Sequence, residues 1–292
     1  MKKIDINTFK VNGPIQLQQN KTSYDLEVTK RHIENEMARV RKRLGKLQDV
    51  MYAHGKYAVL VCLQGMDTSG KDSLIREVFK DFNTRGINVH SFKVPTELEI
   101  NHDYLWRHYI ALPPRGEFGV FNRTHYENVL VTRVHPEYIL GEKIPTVHTL
   151  EDIDETFWDK RFVQINNFEK HISENGTLVF KFYLNLSKKE QKNRLLRRLQ
   201  KQEKNWKFSP GDMRERKLWG KYLEYYEDAI NRTSTPYAPW YIIPADDKAT
   251  ARYIVARVLY DTLKTYTDIQ EPELDDEIKA NLNLYMQELK KE

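Results

Sequence analysis

From Gly65 to Ser73 the chain reads GMDTSGKDS. A glycine, four residues and then Gly70-Lys71 is the spacing of a phosphate-binding loop. Its glycines let backbone N–H groups converge on phosphate oxygens, and the helix that follows presents its positive end. A lysine adds a point charge. On this reading Gly65, Thr68, Ser69, Gly70, Lys71, Asp72 and Ser73 line a phosphate cradle. Two positions break the pattern. Asp72 stands where Ser or Thr normally holds magnesium, and Asp67 places another carboxylate inside the loop. Two anions repel a phosphorylated ligand unless a cation intervenes. Magnesium binds through one or two carboxylates plus ligand phosphates, so Asp67 is expected to hold Mg2+. Asp72 is read as an acid favouring the first turn of a helix through the dipole.

A second constellation lies in GVFNRTHYENVLVTRVH, where Asn122, Arg123 and Glu127 follow an apolar stretch. Phosphate-loop enzymes place a second metal or water ligand here, usually Asp. Asn122 offers a carbonyl and Glu127, about one helical turn on, a carboxylate. Which of the two binds metal stays open, because Glu127 can also pair with Arg123 on a shared helix face. Arg123 offers a fork for the transferred phosphate. A third feature is charge. Residues 188–207 carry nine Lys or Arg against two acids, a field that suits a polyanion or a solvated helix face.

These residues need a scaffold. The continuous apolar run YAVLVCLQ predicts a parallel strand covered on both faces. INVHSFKV, EFGVFNR, TLVFKFYLNL and WYIIPA predict further strands. Helices are expected over residues 27–52, in NHDYLWRHYIAL, through the whole of TLEDIDETFWDKRFVQINNFEKHISENG, and in two segments at the end. Ser187 with Glu190 reads as a capping box opening the basic helix, and KFSPGDMRER breaks that helix and starts another. Strands alternating with helices argue for a doubly wound α/β sandwich, with the cradle at the carboxyl end of the first strand. The expected organisation is one domain over 1–292, with an N-terminal arm and helix over 1–55. The longest apolar run, Ala58 to Leu63, is far short of the roughly twenty residues that span a bilayer. MKKIDINTFK has no apolar signal region, and a single cysteine, Cys62, excludes an internal disulfide. A soluble cytoplasmic protein without membrane association is expected.

With both motifs in hand, residues from Asp25 to Lys264 resemble polyphosphate kinase family 2. The resemblance is carried by GMDTSGKD, FKVPTELEINHDYLWRHYIALPPRGEFGVFNRTHYENVL, KFYLNLSKKEQKNRL, KNWKFSPGDMRER and APWYIIPAD, in the family's order and spacing. It implies a three-layer α/β sandwich with a parallel sheet, the phosphate-loop kinase fold similar to thymidylate kinase, and a helical lid over 188–218. It also implies reversible, magnesium-dependent transfer of terminal phosphate between inorganic polyphosphate and nucleotides. One large part of the family reads Asp-Arg-Ser-Trp-Tyr-Asn in the second motif. Asn122, His125 and Glu127 here resemble the subgroup, class III, that phosphorylates both AMP and ADP. Asp67, Lys71, Arg123 and Glu127 then become the catalytic set. Lys93, Arg133, Arg198, Lys204 and Lys207 become candidate polyphosphate contacts. His125 is expected to be structural. Adenine nucleotides are the expected acceptors, with guanine left open. Homo-oligomers are common in the family, and nucleic acid is not an expected partner. Three rivals remain: a nucleoside monophosphate kinase using ATP, a nucleotide switch or nucleic-acid-binding protein, and a polyphosphate-binding protein without catalysis, which would not need Asp67.

Overall fold

The computed structural model describes residues 4–292. Five parallel strands form one sheet: β1 Ala58–Gln64, β2 Ile87–Ser91, β3 Phe118–Asn122, β4 Thr177–Asn185 and β5 Trp240–Pro244, in the order β2-β3-β1-β4-β5. β1 is therefore flanked by β3 on one side and β4 on the other. The strand order reverses there, and open α/β sheets bind ligands at the carboxyl ends beside such a reversal. Both motifs sit at that end. Leu63 lies opposite Asn122 in the β1–β3 register, so the cradle and the second motif leave the sheet side by side.

Alternate residues of β1 feed two cores. Val59, Val61 and Leu63 pack into one with α1 (Lys30–His54), α2 (Lys71–Val78) and α12 (Lys248–Leu263). Leu60 and Cys62 face Phe168 and Ile172 of α7 (Glu155–Glu174). α7, α5 (Glu127–Val134) and α11 (Trp219–Thr233) cover that second face. Thr29 caps α1 by accepting from the His32 N–H, and Gly55 ends it in a left-handed conformation.

Three expectations differ in detail. NHDYLWRHYIAL forms only the single turn α4 (Trp106–Tyr109), preceded by another, α3 (Glu97–Ile100). Both are too short to persist without tertiary support. The long helix expected from residue 149 divides, because Asp154 is extended and caps α7 by accepting from the Phe157 N–H. Ser187 accepts from the Glu190 N–H at the start of α8 (Lys188–Gln200), but the Glu190 carboxylate turns away to Arg194 and Asn193. A short α6 (Glu137–Leu140) follows α5. Beyond α8 come α9 (Gln202–Asn205) and α10 (Pro210–Lys217), where a Ser209–Asp212 capping box and Pro210 open the new helix. The final helix, α13 (Asp276–Leu289), has no buried residue. Among the described residues no helix is long and apolar enough to cross a membrane.

Candidate active site

The cradle joins β1 to α2 and needs unusual backbone. Gly65 sits at φ +149°, where a Cβ would lie 2.9 Å from the Leu184 carbonyl oxygen. Thr68, at φ +62°, is a non-glycine residue in the left-handed region, a conformation that persists only where its surroundings hold it. Arg194 of α8 does so. Its Nη1 donates to the Thr68 and Ser69 carbonyls at 3.0 and 2.9 Å, and its Nη2 donates to those of Ala245 and Asp246 at 2.6 and 2.9 Å. One guanidinium thus staples the loop to the end of β5. A trans peptide points its N–H opposite its C=O, so fixing the Ser69 carbonyl turns the Gly70 N–H away from Arg194. Lys71 folds back to donate to the Gly65 carbonyl at 2.7 Å. Burial, then the nearby Arg123, lowers its pKa to about 8, although Glu127, Asp67 and Asp72 oppose the drop.

The second motif is built differently. Arg123 follows β3 directly at φ +59°. Its Nη1 meets Glu127 Oε2 at 3.3 Å, and that carboxylate raises the arginine's pKa further. Behind them lies a buried network. Lys181 Nζ donates to Glu169 Oε2 (2.6 Å), the Tyr126 hydroxyl (2.8 Å) and the Thr233 carbonyl (2.7 Å). Glu169 Oε1 accepts from Tyr126 at 2.7 Å and from His125 Nε2 at 2.9 Å. Burial depresses the His125 pKa, and Glu169 offsets only part of that. Burial alone would raise the Glu169 carboxyl, but Lys181 and His125 outweigh it and hold the group ionised. His125 is structural, as its sequence position suggested, and the network clamps residues 125 and 126 beneath Arg123.

A cavity of about 590 Å³ runs from the cradle over Asn122 and Arg123 to α8 and α9. Gly65 lines the neighbouring cavity, but of the other expected phosphate and polyphosphate residues this one gathers Thr68 to Ser73, Lys93, Arg198, Lys204 and Lys207, together with the expected metal ligand Asp67. It also recruits Arg194, Arg197 and Lys248, which the sequence reading missed. Lys248 opens α12 immediately after β5. Its place past a strand's carboxyl end was the available signal. Burial and the surrounding arginines lower its pKa to about 8. Arg198 is at the cavity but engaged: it meets Asp67 Oδ2 at 3.4 Å and Asp212 Oδ2 at 3.0 Å. Burial and the Asp67 charge raise the Asp212 pKa.

One expected contact is not brought there. Arg133 bonds to Asp228 at 2.5 Å and lies 4.3 Å from the Tyr225 ring centre, with Trp158 and Phe162 around it. It ties α5 to α11 and does not line the cavity, because at the far end of α5 it faces the core between the helices.

A second, smaller cavity of about 80 Å³ opens beside the first. Gly65, Glu127, Glu215, Arg216, Trp219 and Tyr222 are among its walls. Asp67, Lys71 and Arg123 line both. The donor atoms around this shared wall are oxygens of the kind a hard dication takes, and among the described residues no three His, Cys, Asp or Glu side chains already converge as a metal site. Asp67 and Asp72 offer carboxylates, and Asn122 Oδ1 is buried without a partner. Glu127 adds a further carboxylate from the smaller cavity.

A family model for polyphosphate kinase 2 matches residues 27–271. An ADP-polyphosphate phosphotransferase of Rhodopseudomonas palustris is 46% identical over 224 residues, 77% of this chain and 76% of its own length. An AMP/ADP-polyphosphate phosphotransferase of Meiothermus ruber is 45% identical over 228 residues, 78% of this chain and 80% of its own. Among solved structures, a polyphosphate kinase 2 from Arthrobacter aurescens TC1 superimposes with a TM-score of 0.86 at 34% identity, covering 96% of this chain and 95% of that one.

Proposed function

The chain belongs to the polyphosphate kinase 2 family, and from that premise we propose that it transfers the terminal phosphate of inorganic polyphosphate to AMP and to ADP. The observation that carries the reading is the wall common to both cavities: Asp67, Lys71 and Arg123 face each of them. The basic cavity under α8 and α9 suits a donor that carries roughly one charge per phosphate and no base. The smaller cavity, with Trp219 and Tyr222 beside Glu127 and Arg216, suits the phosphate end of an acceptor nucleotide.

Transfer takes place across the shared wall. A terminal phosphate oxygen of the acceptor attacks the end phosphorus of the donor. The bridging P–O bond breaks, and the shortened polyphosphate leaves with its electron pair. Catalysis of this step rests on alignment and charge neutralisation, so no protein nucleophile is required. Lys71 and Arg123 face the charge that develops on the transferred group. When bound, magnesium supplies charge neutralisation on the reacting phosphates, and Asp67 with Glu127 are the residues that would hold it.

Phosphorus NMR of AMP or ADP with polyphosphate and magnesium is expected to show ADP and ATP forming. Asp67→Asn should keep the fold and lower turnover by about 10²-fold or more, the scale set by removing one electrostatic contact to a reacting group. Product from ATP and AMP but none from polyphosphate would establish the ordinary nucleotide-kinase reading instead.

A further inference from the structure

Asp72 in the cradle and Asn122 in the second motif both depart from the phosphate-loop pattern, and the structure puts these two departures in contact. Asn122 Nδ2 donates to Asp72 Oδ1 at 2.6 Å and to Ser91 Oγ at 3.3 Å. The usual arrangement sets a loop hydroxyl against a strand aspartate. Here the loop supplies the carboxylate and the strand supplies the amide. We infer that Asp72 and Asn122 form one exchanged unit, in which Asp72 carries the negative charge facing the cation and Asn122 positions it.

Each residue makes sense only beside the other. Were residue 122 an aspartate, two carboxylates would stand at hydrogen-bond distance and one would be driven to protonate. With an amide there, a single charge remains, and one Asp72 oxygen is pinned by a donor. Asp72 is itself exposed to the cavity, and its second oxygen is left for a ligand. An amide carbonyl is a weaker magnesium ligand than a carboxylate. The exchange therefore keeps the number of charges at the mouth of the cradle while moving one from β3 to α2. This gives Asp72 a role beyond the helix dipole.

The inference rests on the polyphosphate-kinase reading, and its test separates the two. Asp72→Asn, Asn122→Asp and the Asp72→Asn/Asn122→Asp exchange are compared with the wild-type chain. Two readouts are used: magnesium-dependent binding of polyphosphate by calorimetry without nucleotide, and melting of the metal-free protein. Asp72→Asn is expected to raise the half-saturating magnesium about tenfold. The exchange should return it to within about threefold of wild type and recover the melting temperature lost in the singles. An exchange no better than the product of the two single changes would overturn the unit, as would an unchanged magnesium midpoint in Asp72→Asn. If the wild-type chain makes no ADP from polyphosphate, the functional reading falls and this inference with it.

Discussion

Two lysines, Lys181 wholly buried and Lys71 half-buried, lie near the second motif, and their surroundings differ in kind. Lys181, wholly buried in β4, has a protein acceptor for each of its three N–H bonds. Lys71 has one good acceptor, the Gly65 carbonyl, and two distant ones, at 3.4 and 3.5 Å. Carboxylates surround it, but none bonds it. A charge fully satisfied inside the fold serves the fold. A desolvated charge left short of partners is held for a ligand; burial lowers the pKa of both lysines, so the difference between them lies in their hydrogen-bond partners.

The contrast breaks most sharply under substitution. Lys71→Met removes the charge proposed to face the transferred phosphate, and turnover is expected to fall by about 10²–10³-fold. Its melting temperature should hold or rise, because a burial penalty disappears with the ammonium. Kinetics paired with calorimetric melting checks both halves. Lys181→Met reverses the pattern. It strands Glu169 in the core and should cost about 3–5 kcal/mol of stability, read by denaturant unfolding. Glu169→Gln on that background should recover part of the loss. Equal damage to turnover and stability in both lysine variants would erase the distinction.

The smallest effect is in pH. The Lys71 and Lys248 pKa values are both lowered to about 8. Bound phosphate restores their protons, so polyphosphate affinity should decline as pH rises through about 8, with proton uptake on binding above it. For the ligand-free protein the sign is opposite. Between about pH 8 and the ordinary lysine value near 10.4, the unfolded chain holds protons that the folded chain has released. These two groups then contribute stability that increases with pH. Isothermal titration in two buffers of different ionisation enthalpy measures the uptake.

The parts of the molecule that could be read from sequence were those governed by local rules. The glycine spacing at 65 and 70, the apolar β1 run and the Ser209-Pro210 start each act within a few residues. Contacts across the chain could not be read in this way. Lys181 interrupts the run LVFKFYL in β4, and its partner Glu169 lies on a helix twelve residues earlier in the chain. Arg194 looked like one more member of a basic run. Only packing of α8 against the loop and the end of β5 gives it four carbonyl partners. Arg133 was expected at the polyphosphate through the family resemblance, and the aromatic residues of α7 and α11 that enclose it come from distant segments. Charge pattern alone could not separate arginines that bind protein from arginines that face the cavity.

Arg198 is a side chain shared between the fold and the ligand. It already rests on Asp67 and Asp212, so on the proposed reading a cation arriving at Asp67 would compete with it. Ligand entry becomes a trade of one ion pair for another, and the freed guanidinium is left beside the incoming phosphates. Such a trade weakens binding, but it also gives departure a ready successor: as the phosphate chain slides out, Arg198 can reclaim its carboxylates. On the proposed reading, a donor of repeating units would then be released as readily as it is taken up.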